Sequence, residues 1–149
     1  TRDSAIVVMF AINDTGGADM AFDGVGQGER VSRAESLDIA RQMITATLAC
    51  GPVLWLGPTF LIEDRMDDEP VSSGPLSRLQ RLSGLSDGYR NIAQALGVPY
   101  LDMTALLGTT DGYVRSLEAG DGVHPTGSGH QLLAEIVAAR PAWRNFIGT

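Results

Sequence analysis

Three short apolar runs, each set apart from the next by a stretch of helical spacing, constrain this chain more than any other feature. They are Ala5 to Phe10 (Ala-Ile-Val-Val-Met-Phe), Pro52 to Pro58 (Pro-Val-Leu-Trp-Leu-Gly-Pro) and Val98 to Met103 (Val-Pro-Tyr-Leu-Asp-Met). The first two are continuous rather than alternating, the pattern of strands covered on both faces in a parallel sheet. Between the runs lie helices. Ser32-Arg33-Ala34-Glu35 has the form of a capping box. Leu37, Ala40, Met43, Ile44, Thr47 and Leu48 then recur at helical spacing until Gly51-Pro52. Leu76, Leu79, Leu82, Leu85, Tyr89, Ile92 and Leu96 share a face of a second helix, Pro75 to Leu96, which Gly84 and Gly88 would divide and Gly97 would cap. Loop 104–120 leads to a third helix on Leu132, Leu133, Ile136 and Val137, with Trp143, Phe146 and Ile147 expected to pack back as a C-terminal clamp. This alternation predicts an α/β fold with a parallel sheet and right-handed crossovers.

The 149 residues are read as a single domain, 1–149, with no internal repeat and no dividing linker. Net charge is −7 and all eleven basic residues are arginine, which argues against nucleic acid or an anionic membrane as the main partner. No run approaches the ~18 continuous apolar residues of a membrane span. Cys50 is the only cysteine, so no internal disulfide can form, and it is expected to be buried at the end of the first helix. The compartment is left open.

Two stretches read as loops. The glycine-rich segment through Glu29, with Gly24-Val25-Gly26-Gln27-Gly28, does not lie directly between a strand and a helix, so it is no dinucleotide fingerprint. An active-site loop and a plain connection are both open for it. Thr59 to Gly74 carries Glu63, Asp64, Asp67, Asp68 and Glu69, at a spacing that matches no compact calcium loop; it reads as a solvated acidic loop.

Chemistry concentrates in Asp121-Gly122-Val123-His124-Pro125, which holds one of only two histidines. A carboxylate three residues before an imidazole can fix its tautomer and leave the other ring nitrogen free to take a proton. The same pair could instead be a purely structural hydrogen bond. Asn13 directly follows the first strand, and the Asp121–His124 loop follows the third. In a parallel sheet these positions lie beyond the carboxyl ends of the strands, on one rim. An asparagine there can donate to a developing oxyanion, or serve only as a turn residue. A metal site on Asp121, His124 and Asp14 would have suitable ligand types but no metal-specific spacing.

These blocks resemble the SGNH, or GDSL-type, hydrolases. Ile6 to Asp14 is similar to that family's strand ending in Gly-x-Asn-Asp, with Ala11 in place of the glycine. Asp121-Gly122-Val123-His124-Pro125 resembles its final Asp-x-x-His block. Asn91 to Asp102 resembles the helix-to-strand join before that block. The resemblance implies a flavodoxin-like three-layer sandwich, with His124 as base, Asp121 as its orienting carboxylate and Asn13 in the oxyanion hole. It implies a small ester or acylated molecule as substrate, with no metal and no organic cofactor.

The family's Gly-Asp-Ser block and its oxyanion glycine have no counterpart here. Asp3-Ser4 mimics the first only superficially, since Ser4 enters the strand that Asn13 leaves, roughly 20–30 Å away at ~3.3 Å per residue. Ser32 reads as a helix cap and Ser128 as part of a helix start, so no nucleophile is named. The expectation is the C-terminal part of an SGNH hydrolase domain, whose N-terminal strands, with the serine, lie outside these residues. An inactive relative that holds a glycan or a protein is the alternative, and the sequence upstream of Thr1 separates the two.

Overall fold

The computed structural model describes residues 5–15, 31–65 and 76–148. Strands β1 (Ile6–Met9), β2 (Val53–Leu56) and β3 (Tyr100–Leu101) form a parallel sheet in the order β1-β2-β3. Ile6 lies opposite Val53, Met9 opposite Leu56, and Leu56 opposite Leu101. The described residues also form six α-helices: α1 (Arg33–Leu48), α2 (Arg78–Leu96), α3 (Met103–Gly108), α4 (Asp111–Glu118), α5 (Gly127–Ala138) and α6 (Pro141–Phe146).

β2 is the centre of both cores. Its side chains alternate across the sheet. Val53 and Trp55 join Ala40 and Ile44 of α1 and Leu85, Tyr89 and Ile92 of α2 on one face. Leu54 and Leu56 join Met103, Leu107, Tyr113, Leu117 and Val137 on the other. All four strand residues are buried, each side chain worth about 1.5–3 kcal/mol in apolar transfer. The result is the three-layer α/β architecture expected, helices on both faces of a parallel sheet.

β1 departs from expectation. Val8 and Phe10 pack on the α1–α2 core, but Val7 and Met9 are about half exposed. The second core gathers over β2 and β3 and does not extend to β1, so among the described residues only one face of β1 is covered. Its outer edge likewise has no described partner strand.

α2 is one unbroken helix. Ser77 and Gln80 form its capping box and Gly97 its left-handed C-cap. Gly84 and Gly88 do not divide it, and Gly88 lets α1 approach. A methyl group at Gly88 would sit 2.5 Å from Leu37, and the Gly84 carbonyl accepts hydrogen bonds from Arg33. Ser32 caps α1 by accepting the Glu35 N–H at 3.2 Å.

The third strand is shorter than its apolar run, because Asp102 caps α3 and turns Met103 into helix. Loop 104–120 is largely α3 and α4. Each is three turns or less, too short for an extended periodic signal, and both are held by burial of Leu107, Tyr113 and Leu117. Cys50 is exposed rather than buried, two residues past the end of α1. Trp143 and Phe146 pack against the second core as expected, whereas Ile147 stays largely exposed. The glycine-rich stretch and Asp67, Asp68 and Glu69 lie outside the described residues. No described helix is long and apolar enough to cross a membrane.

Candidate active site

The Asp121–His124 loop joins α4 to α5. Among the described residues its carboxylate binds only its own neighbours. Asp121 Oδ1 accepts the backbone N–H of Val123 at 2.9 Å and of His124 at 2.7 Å, and Oδ2 lies 2.7 Å from His124 Nδ1. The His124 N–H, then the His124 ring, then the Val123 N–H hold the Asp121 carboxyl well below the usual carboxylate range. An ionised Asp121 accepts from Nδ1–H, which leaves Nε2 as the free lone pair. Both side chains are exposed, His124 at 82% and Asp121 at 58%. The pair is therefore available to a partner approaching from outside.

Two glycines shape this loop. Gly122 has φ +81°, and a Cβ there would fall 2.4 Å from the Ile62 carbonyl oxygen, so only glycine fits without displacement. The closeness is used, because Ile62 N donates to Gly122 O at 2.8 Å. Gly129, in the first turn of α5, lets that helix press against Ser116 of α4. The histidine loop is thus fastened to the segment after β2. That segment is fastened in turn to α2, since Glu63 Oε1 accepts the Leu79 N–H at 2.8 Å.

Asn13 is exposed in a 3-10 turn, Ile12–Thr15, immediately beyond β1. It opens on a cleft of about 330 Å³ lined by Phe10, Ala11, Asp14, Pro58 and Thr59. The segment after β2 therefore joins the two halves of the rim: Pro58 and Thr59 wall the Asn13 cleft, and Ile62 holds the histidine loop. Among the described residues no hydrogen bond links Asn13 to His124.

Ala11, at the place of the glycine in the motif it resembles, adopts φ +93°. That region costs a non-glycine residue roughly 1–2 kcal/mol. The substitution, innocuous by size, carries backbone strain. The neighbouring Asp14 carboxylate accepts the Ser36 hydroxyl at 2.7 Å, so it is engaged away from His124. Among the described residues no group of three His, Cys, Asp or Glu could hold a metal ion.

Sequence reasoning missed Arg78 and Arg81. Both are buried, and both direct their guanidinium groups to the Asn13 turn. Their only sequence signal was a pair of arginines three apart, interleaved with the leucine stripe of α2. Ser128, weighed as a nucleophile, lies in the first turn of α5, its hydroxyl 3.0 Å from that of Thr126.

The model of the GDSL-like lipase/acylhydrolase family matches residues 1–132. The chain belongs to that family. Solved structures agree on the fold of this GDSL-like chain. A lipase/acylhydrolase from Enterococcus faecalis is 20% identical, with a TM-score of 0.65 over 93% of this chain and 60% of its own length. An acetylxylan esterase from Geobacillus stearothermophilus, solved as a catalytic mutant altered at a serine, is 22% identical, with a TM-score of 0.62 over 99% of this chain and 60% of its own. An alpha/beta hydrolase enzyme from the metagenome of Lake Arreo, Spain, is 19% identical, with a TM-score of 0.63 over 97% and 61%. The chain thus spans about 60% of the length of these solved proteins. Among curated proteins none matches it significantly.

Proposed function

We propose that this chain carries the base, its orienting carboxylate and an oxyanion donor of a serine hydrolase acting on carboxylic esters or thioesters. The observation that carries the reading is the 2.7 Å contact between Asp121 Oδ2 and His124 Nδ1, with the same carboxylate locked by two backbone N–H groups. Family membership supports the reaction class, and the Asn13 cleft on the same sheet rim supports the oxyanion role.

The steps follow from these positions. A serine hydroxyl loses its proton to His124 Nε2 while its oxygen bonds to the substrate carbonyl carbon. Asn13 donates to the oxygen that becomes negative. His124 returns the proton to the leaving alcohol or thiol as that bond breaks, and a water molecule repeats the sequence to release the acid. Asp121 stabilises the imidazolium between the transfers. No metal or organic cofactor takes part.

The nucleophile belongs to a segment outside these residues, the N-terminal part of the same domain, of which residues 1–149 form the C-terminal part. Three features support this: the exposed His124, the half-exposed Val7 and Met9, and the β1 edge without a described partner. A second segment laid on that edge and face would cover the apolar surface and bring its serine to the rim. Loops 14–31 and 59–74 follow β1 and β2 in the chain, and we assign acyl and alcohol selectivity to them.

The test is His124→Ala in the full-length protein, assayed on p-nitrophenyl acetate. Turnover falls by at least 10³-fold while the circular dichroism spectrum is unchanged, as for other triad histidines. Unaltered turnover in the folded variant would end the assignment and favour a non-catalytic binding domain.

A further inference from the structure

We propose that Arg78 and Arg81 are positioning residues for the oxyanion donor, so that one face of α2 sets where Asn13 stands. The proposal rests on the oxyanion role given to Asn13 above. Both arginines are more than nine-tenths buried, at 6% and 7% exposure. Arg78 donates from Nε to Thr15 Oγ1 at 3.0 Å and from Nη2 to the Ile12 carbonyl at 3.3 Å. Arg81 donates from Nε to the Thr15 carbonyl at 3.1 Å, again from Nη2 to that oxygen, and from Nη1 to the Leu76 carbonyl at 2.8 Å. Thr15 Oγ1 itself donates to Ile12 O at 2.7 Å. The backbone is therefore gripped on both sides of Asn13.

A third hold comes from the same helix face. Tyr89 O–H donates to Ser36 Oγ at 2.6 Å, because the single Ser36 hydrogen goes to Asp14 Oδ2. Arg78, Arg81, Leu85 and Tyr89 follow at intervals of three and four, so they line one stripe of α2. Burial of guanidinium groups is costly unless their donors are satisfied, and an apolar pair would pack the same space more cheaply. What arginine adds is a planar fork that fixes the direction of the carbonyls it binds. The turn needs such external direction, since it starts at Ala11 in the left-handed region. An oxyanion donor works by being in place before charge develops, and a displacement of ~1 Å can cost about 10²-fold in rate.

The experiment uses the full-length protein with p-nitrophenyl acetate and counts active sites with a fluorophosphonate. Arg81→Lys keeps the charge and loses the fork. Its kcat per active site falls roughly tenfold or more with KM within about twofold, and Arg78→Gln falls less. In an Asn13→Ala background, Arg81→Lys lowers kcat by less than about twofold further, because the group it positioned is gone. A merely structural arginine would give the same fold loss in both backgrounds, and that result overturns the proposal. Unchanged kcat in Arg81→Lys, with kcat lost in Asn13→Ala, overturns the clamp alone. Unchanged kcat in Asn13→Ala overturns the oxyanion reading and the clamp with it.

Discussion

The Asp121–His124 loop and the Asn13 turn sit on the same rim and are held in opposite ways. Among the described residues every partner of the Asp121 carboxylate lies within three residues of it. The Asn13 turn is held by Arg78 and Arg81, 63 to 66 residues away, and by Ser36, 22 residues from Asp14. Both include a backbone in the left-handed region, at Gly122 with φ +81° and at Ala11 with φ +93°. The loop meets that demand with the residue that suits it, while the turn meets it with one that does not and draws its support from α2. A motif that carries its own restraints can stay exposed and still be ordered; a strained one needs a buried scaffold.

Asp121→Asn breaks the local restraints of the histidine loop and should give the largest effect of the changes that test this contrast. The amide cannot stabilise an imidazolium, and kcat on p-nitrophenyl acetate falls by about 10²–10⁴-fold with the fold intact. The pH dependence has a definite sign. The folded Asp121 carboxyl ionises below its unfolded value of about 3.9, so its contribution to loop stability is complete above that value and is lost as pH falls further. Between pH 8 and 5 Asp121 does not titrate, and any acid limb of the rate profile in that window belongs to another group. A carbon-13 NMR titration in which the Asp121 carboxyl signal moves between pH 8 and 5 would contradict this.

Gly122→Ala attacks the other support of the loop. It places a Cβ 2.4 Å from Ile62 O and an alanine at positive φ, which should cost about 2 kcal/mol or more in denaturant unfolding. Turnover should fall with it, since the Ile62–Gly122 hydrogen bond ties the histidine loop to the segment after β2. Ala11→Gly is the smallest change and has the opposite sign. It relieves the left-handed strain but adds freedom to the unfolded chain, for a net gain of up to about 1 kcal/mol in stability. Destabilisation by that substitution would show that the Ala11 methyl packing outweighs its strain.

Much of the fold was legible in the residues, for reasons of period and local chemistry. Pro52 to Pro58 is apolar throughout, and β2 is buried on both faces. Ser32 lies three residues before Glu35, and Ser32 caps α1. Asp121 and His124 meet because a carboxylate two and three residues before free N–H groups closes on them without help from elsewhere. α3 and α4 were missed because helices of one to three turns leave no periodic trace and depend on burial of Leu107, Tyr113 and Leu117. Gly88 was read as a break because its role, the close approach of α1, exists only between helices.

The same division separates the two parts of the site. The alternation of the three strands with α1, α2 and α5, and the Asp121–His124 pair, were legible in the sequence alone, since each depends on periodicity or on neighbours a few residues apart. Tertiary structure decided the rest: a face of β1 left uncovered among the described residues, strain at Ala11, and two buried arginines at the Asn13 turn. The reason is physical. A guanidinium hydrogen bond across more than sixty residues has no local signature, and the free energy that places it comes from packing the helix that carries it.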